Sequence, residues 1–157
     1  MRQRGPSGPK ESRRARSVTE EQRAWFDALV DEAVGELPEG VLAVLDETPL
    51  VVLDEPTPEI LKSVGMDPSE PGAGASLFGL HSGIAITDRS ITHSGELPSQ
   101  IHIFRRGLIE HVGGWRRLER DASAVDELYE EIRVTLLHEI GHQMGLDEDD
   151  LEGLGYD

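Results

Sequence analysis

Val134 to Gly145 reads V-T-L-L-H-E-I-G-H-Q-M-G, with H-E-x-x-H at its centre as His138, Glu139 and His142. On a helix, positions i and i+4 share one face about a turn apart, so both imidazoles can reach a single metal ion. Glu139 projects beside the pair, where it can accept a proton from water at the metal. That is the layout for zinc-assisted hydrolysis of an amide. The surrounding residues predict the helix. Val125, Leu128, Ile132, Leu136, Ile140 and Met144 recur at steps of three and four. Ser123, with Asp126 three residues on, resembles a capping box and predicts a start near Ala124; Gly145 is a natural stop. Glu127, Glu130, Glu131 and Arg133 occupy the first half, and from Val134 to Gly145 the one carboxylate is Glu139. A helix apolar nearly all round is a buried one. A single buried histidine is more often a satisfied core residue than a ligand. Two at i+4 around a buried glutamate are better read as a metal site.

Two histidines leave zinc short of a third protein ligand. Glu148 lies ten residues after His138, giving H-E-x-x-H-x-x-G-x-x-E. The extended metzincin pattern has a third histidine at that position, reached because the glycine lets the chain turn back. Gly145 occupies the turning position here, and a carboxylate oxygen is an acceptable zinc ligand. Asp147, Asp149 and Asp150 flank Glu148, so a solvated acidic stretch is the plain alternative, with Asp147 or Asp149 as substitute ligand.

The tail R-V-T-L-L-H-E-I-G-H-Q-M-G-L-D-E-D-D-L-E-G-L-G-Y, Arg133 to Tyr156, resembles a small bacterial family of zinc metallopeptidases with a minimal zincin-like domain. That family carries H-E-x-x-H-x-x-G-x-x-D near its C-terminus, followed by a Leu-Gly-aromatic ending, which Leu154, Gly155 and Tyr156 match. The segments V-V-L-D-E-P-T-P-E and L-P-S-Q-I-H-I-F-R resemble its strands, so the likeness covers about residues 20–157. It implies a fold and a zinc site. Glu148 stands where the family usually has aspartate, and the extra methylene changes the reach of the carboxylate.

The chain has 157 residues, enough for one domain with a single sizeable core, and no cysteine. Histidine and carboxylate must therefore serve as metal ligands. Charge is divided unevenly. Residues 1–17 hold six of the 15 basic residues and one of the 31 acidic ones, a net of +5. The remaining 9 basic and 30 acidic residues leave 18–157 at −21. Residues 1–17 are expected to be a disordered basic tail and 18–157 the zincin-like domain. So acidic a domain repels phosphate backbones, so no nucleic-acid partner is expected for the folded part. No apolar run approaches a membrane span, and no apolar stretch follows the basic start as in a secretory signal. The expected location is cytoplasmic.

Upstream, Val18–Val34 reads as a helix capped by Thr19 with Gln22, and Pro38 opens a shorter one through Leu45. Leu50–Leu53 reads as a strand, and Pro58 opens a helix through Val64. Asp54 and Glu55 read as solvated loop acids at the strand end. Met66–Pro98 is turn-rich, with short extended pieces expected at Ser76–Leu80 and Gly83–Thr87. His81 and His93 lie there and are minor candidates for the third ligand. Ile101–Phe104 reads as a strand, placed beside the metal helix as an edge open to an extended peptide. Leu108–Leu118 reads as helix or turn broken at Gly113-Gly114.

The fold class expected is α+β: a small mixed sheet of three or four strands packed on helices, with the H-E-x-x-H helix central. The expected function is a zinc-dependent metallopeptidase with one zinc per chain, held by His138, His142 and Glu148. Glu139 is its general base, and a peptide or unfolded protein segment its substrate. The alternative is a zinc-containing protein-binding module that keeps the motif without proteolysis. Nine residues follow Glu148, so a shallow cleft is expected.

Overall fold

The computed structural model describes residues 17–82 and 99–156. Among these, helices α1 (Glu20–Gly35) and α2 (Glu39–Glu47) precede strand β1 (Leu50–Leu53) and helix α3 (Pro58–Ser63). Strands β2 (Gly79–Ser82) and β3 (Gln100–Phe104) follow, then α4 (Arg105–His111), α5 (Trp115–Arg120), α6 (Ala122–Gln143) and α7 (Glu148–Leu154). This is an α+β fold, as the residue pattern predicts. No helix among the described residues is long and apolar enough to cross a membrane.

The sheet order is β1-β3-β2, with β1 parallel and β2 antiparallel to β3. That corrects the placement of Ile101–Phe104 as an edge. β3 is the central strand, and Ile101, Ile103 and Phe104 are fully buried. A strand buried on successive residues is covered on both faces, which an edge strand seldom is. The edge facing α6 is β2. Its Gly79 packs so closely that a Cβ there would lie 2.6 Å from Thr135 Cγ2 and 3.2 Å from Glu139 Cγ. The extended piece expected at 76–80 begins three residues later and runs to Ser82, and the one at 83–87 lies outside the described residues.

α6 is 22 residues long and runs through the core. Leu128, Ile132, Leu136 and Ile140 form an i, i+4 stripe, each with at most 1% exposure. They pack in one cluster with Ile101 and Ile103 of β3 and Phe26, Val30 and Ala33 of α1. The start of α6 differs from the expected capping box. Asp121 is the cap, its Oδ1 accepting from the Ser123 amide at 2.9 Å and from the Ser123 hydroxyl at 2.6 Å. Ser123 is consumed as a donor inside the first turn, so it cannot cap from there. α1 does begin with the Thr19/Gln22 box, and the break at Gly113-Gly114 separates α4 from α5.

Asp54 is not the solvated loop acid its surroundings suggest. Its carboxylate takes Arg23 Nη2 at 2.6 Å and Arg105 Nη1 at 2.9 Å, while Arg105 also grips Asp27. Arg105 is 7% exposed, and it ties α1 to the end of β1 and the start of α4. The hydrogen bond from Arg23, then that from Arg105, holds the Asp54 carboxyl below the usual carboxylate range against the opposing effect of burial.

Candidate metal centre

α6 brings His138 and His142 to one face near its C-terminal end, with their Nε2 atoms 3.1 Å apart. The chain must then reverse to bring a third donor to them. Gly145 does this at φ +89°, where its amide reaches the His142 carbonyl and the Leu146 amide reaches Gly141. This is the paired bonding that ends a helix in a left-handed residue. α7 then starts at once, capped by a reciprocal box between Asp147 and Asp150. Gly141 lets α7 settle onto α6, since a Cβ there would meet Leu151 Cδ2 at 2.4 Å. The first residue of α7 is Glu148, whose Oε1 lies 2.7 Å from His142 Nε2 and 3.5 Å from His138 Nε2.

His138, His142 and Glu148 thus form a group able to hold a metal ion, with each donor within 4.8 Å of the others. Asp147 and Asp150 are engaged with each other's backbone amides. Of the two minor candidates, His81 pairs through its backbone with Ile101 of β3, and His93 lies outside the described residues.

The chemistry of the donors fits a cation. His138 Nδ1 is 2.6 Å from the Tyr156 carbonyl, and His142 Nδ1 is 3.1 Å from the Leu146 carbonyl. A carbonyl only accepts, so Nδ1 carries a hydrogen in both rings, and in the neutral form that binds a metal each Nε2 presents a lone pair. Two lone pairs and a carboxylate oxygen converge on one point, an arrangement that repels itself without a cation or proton. Donors bonded at 2.0–2.1 Å in a tetrahedron sit about 3.3 Å apart. The three observed separations, 2.7, 3.1 and 3.5 Å, scatter around that value. The residues present suit zinc.

The sequence profile of the zincin-like metallopeptidases matches residues 45–156, well over half of the chain. The chain belongs to that family. A search of curated proteins found no match. The zincin-like domain carries a second layer of contacts that residue spacing did not reveal. The carbonyls of Leu146 and Tyr156 orient the two rings, as outer-shell partners of metal-bound histidines usually do. The turn at Gly145 was a signal for the first. The second needs Gly155, at φ +77°, to fold Tyr156 back so that its amide reaches the Leu151 carbonyl. The Leu-Gly-aromatic ending marks that turn without disclosing its target.

Glu139 is 9% exposed and stands outside the three-donor group. With His138 it lines a cleft of about 270 Å³ between α6 and the Ser76–Gly79 segment. His102 of β3 is also buried, at 6%, and burial pushes its pKa down, so it stays neutral. It is no part of the donor group.

Proposed function

We propose that this chain is a zinc-dependent peptidase in which His138, His142 and Glu148 hold the metal and Glu139 is the general base. The observation that carries the reading is the placement of Glu139. It is buried beside His138, on the wall of the cleft, yet outside the three donors. A purely structural zinc site has no use for such a carboxylate.

Zinc, when bound, supplies Lewis acidity that makes water more acidic and a substrate carbonyl more electrophilic. Glu139 takes the proton of the attacking water and delivers it to the leaving amine. The Leu146 and Tyr156 carbonyls keep both Nε2 atoms turned toward the metal position. A peptide substrate lies extended along the β2 edge, which flanks α6, and pairs with it through backbone hydrogen bonds. This replaces β3 as the pairing edge.

The test is Glu139→Gln. Glutamine keeps the shape of glutamate but cannot take the proton, so the variant retains its zinc and its fold. Hydrolysis of a mixed peptide library, followed by mass spectrometry, falls by about 10²–10⁴. Cleavage that survives in the variant and in chelator-treated protein comes from a contaminant. A fully zinc-loaded wild type that cleaves nothing across the library contradicts the peptidase reading and leaves the binding module.

A further inference from the structure

The cleft beside His138 and Glu139 has walls that hydrolysis itself does not need. Its volume of about 270 Å³ falls just below the ~300 Å³ at which pockets begin to take whole small molecules. It has room for one long side chain. Leu77 and Phe78 form one wall and Val134 the other, so its middle is apolar. At its far end is Glu131. Residues 131, 134, 135, 138 and 139 recur at the helical spacing, placing Glu131 on the same face of α6 as the proposed base. It lies two turns, roughly 10 Å along the axis, from the metal-binding end.

Glu131 keeps 37% of its side-chain surface, and the ring of His111 is its neighbour from α4. His111 Nε2 is 3.6 Å from its Oε1, longer than a hydrogen bond, and the His111 ring lies against Phe78 with centroids 4.8 Å apart. The pocket therefore has a reactive end, an apolar middle and an anionic far end. That sequence of surfaces matches a long cationic side chain, whose methylenes lie on apolar walls while its head reaches a carboxylate. The net charge of −21 on residues 18–157 attracts cationic peptides from a distance as well.

We infer that the preferred substrates carry lysine or arginine next to the cleaved bond, and that Glu131 is the residue that selects it. This rests on the peptidase reading, so the test has two arms that can fail separately. Peptides differing at one scanned position carry lysine, norleucine (the same stem without charge) or glutamate. In the first arm they compete for hydrolysis by the zinc-loaded wild type, read by mass spectrometry. In the second they bind zinc-loaded Glu139→Gln protein, read by calorimetry. Lysine is favoured over norleucine by about tenfold in both arms, in line with a charge-assisted hydrogen bond. Glu131→Gln brings that ratio close to one, alone in the first arm and combined with Glu139→Gln in the second, and Glu131→Lys turns the preference toward glutamate. Each ratio is taken within one preparation, so partial loss of folded protein cancels. A wild-type ratio near one, or a lysine preference that survives Glu131→Gln, overturns the assignment. Lysine-selective binding without any cleavage keeps the pocket and overturns the peptidase. Neither binding nor cleavage overturns both.

Discussion

Glu148 sits among four consecutive acids, Asp147 to Asp150, and only its position on α7 distinguishes it from its neighbours. Asp147 and Asp150 are tied into the cap of α7, while Glu148 Oε1 faces both histidine Nε2 atoms. The proposed ligand set therefore predicts different losses from adjacent substitutions. His138→Ala and His142→Ala abolish the roughly one zinc per chain expected by elemental analysis. Glu148→Ala weakens zinc affinity by more than the ~10–100-fold typical of losing an outer-shell partner. Asp150→Ala removes the side-chain acceptor of the Asp147 amide but not the Asp147 cap itself, lowering stability by at most about 1 kcal/mol while retaining zinc. Glu148→Asp retains zinc. Competition with a chromophoric chelator measures all of these. A larger loss from Asp147→Ala or Asp149→Ala than from Glu148→Ala transfers the ligand role to that neighbour.

At the scale of the element, the site depends on how closely β2 approaches α6. A Cβ on Gly79 would come within 2.9 Å of the His102 carbonyl as well as 2.6 Å of Thr135. One of these atoms is backbone in the central strand and cannot rotate away. Gly79→Ala is thus an overpacking substitution, expected to cost about 1–3 kcal/mol. It also pushes β2 away from Glu139, so activity drops while zinc content, held by α6 and α7, stays near one. Thermal denaturation and zinc analysis of the same preparation check both halves. Zinc loss in step with activity contradicts the separation of edge strand from metal centre.

Across the whole molecule, one ion network joins elements distant in the chain. Arg105, 7% exposed, bridges Asp27 of α1 and Asp54 after β1. Arg105→Ala takes the arginine from Asp27, leaves Asp54 with Arg23 alone, and is expected to cost about 2–3 kcal/mol. That is less than the ~3–5 kcal/mol for a fully buried pair, since Asp27 and Asp54 keep contact with water. Chemical denaturation measures the loss. The pH dependence follows from Asp54. Its folded pKa lies below its unfolded one, so its stabilisation is complete above about pH 4 and is lost as pH falls through the folded value. Melting of chelator-treated protein should therefore lose stability steeply below about pH 4. Arg23→Ala should be less stable than wild type at pH 7, with the two curves converging as pH falls through the folded pKa of Asp54. Parallel curves over that range exclude the Arg23–Asp54 pair as a source of acid sensitivity. Zinc affinity falls on acidification for a separate reason, because protons compete with the metal for the imidazoles.

What the sequence by itself determined is local and periodic. Helical spacing placed the long stripe of α6 and put His138, Glu139 and His142 on adjacent faces of its last turns. Gly145 marked the reversal that Glu148 follows, and Thr19 with Gln22 marked the start of α1. Such features depend on neighbours within a few residues, so the chain states them directly. Strand order is different. Ile101–Phe104 reads the same whether central or at the edge, and only pairing with both Leu50–Leu53 and Gly79–Ser82 decided that it is central. Asp54 reads as a loop acid until Arg23 and Arg105 are brought to it from 31 and 51 residues away. The Tyr156 carbonyl meets His138 only because α7 packs back over Gly141, and Glu131 becomes a pocket wall only because Leu77 and Phe78 lie opposite. Each of these contacts spans a separation in the chain that no local pattern encodes. They exist because packing a single core around α6 leaves those segments nowhere else to go.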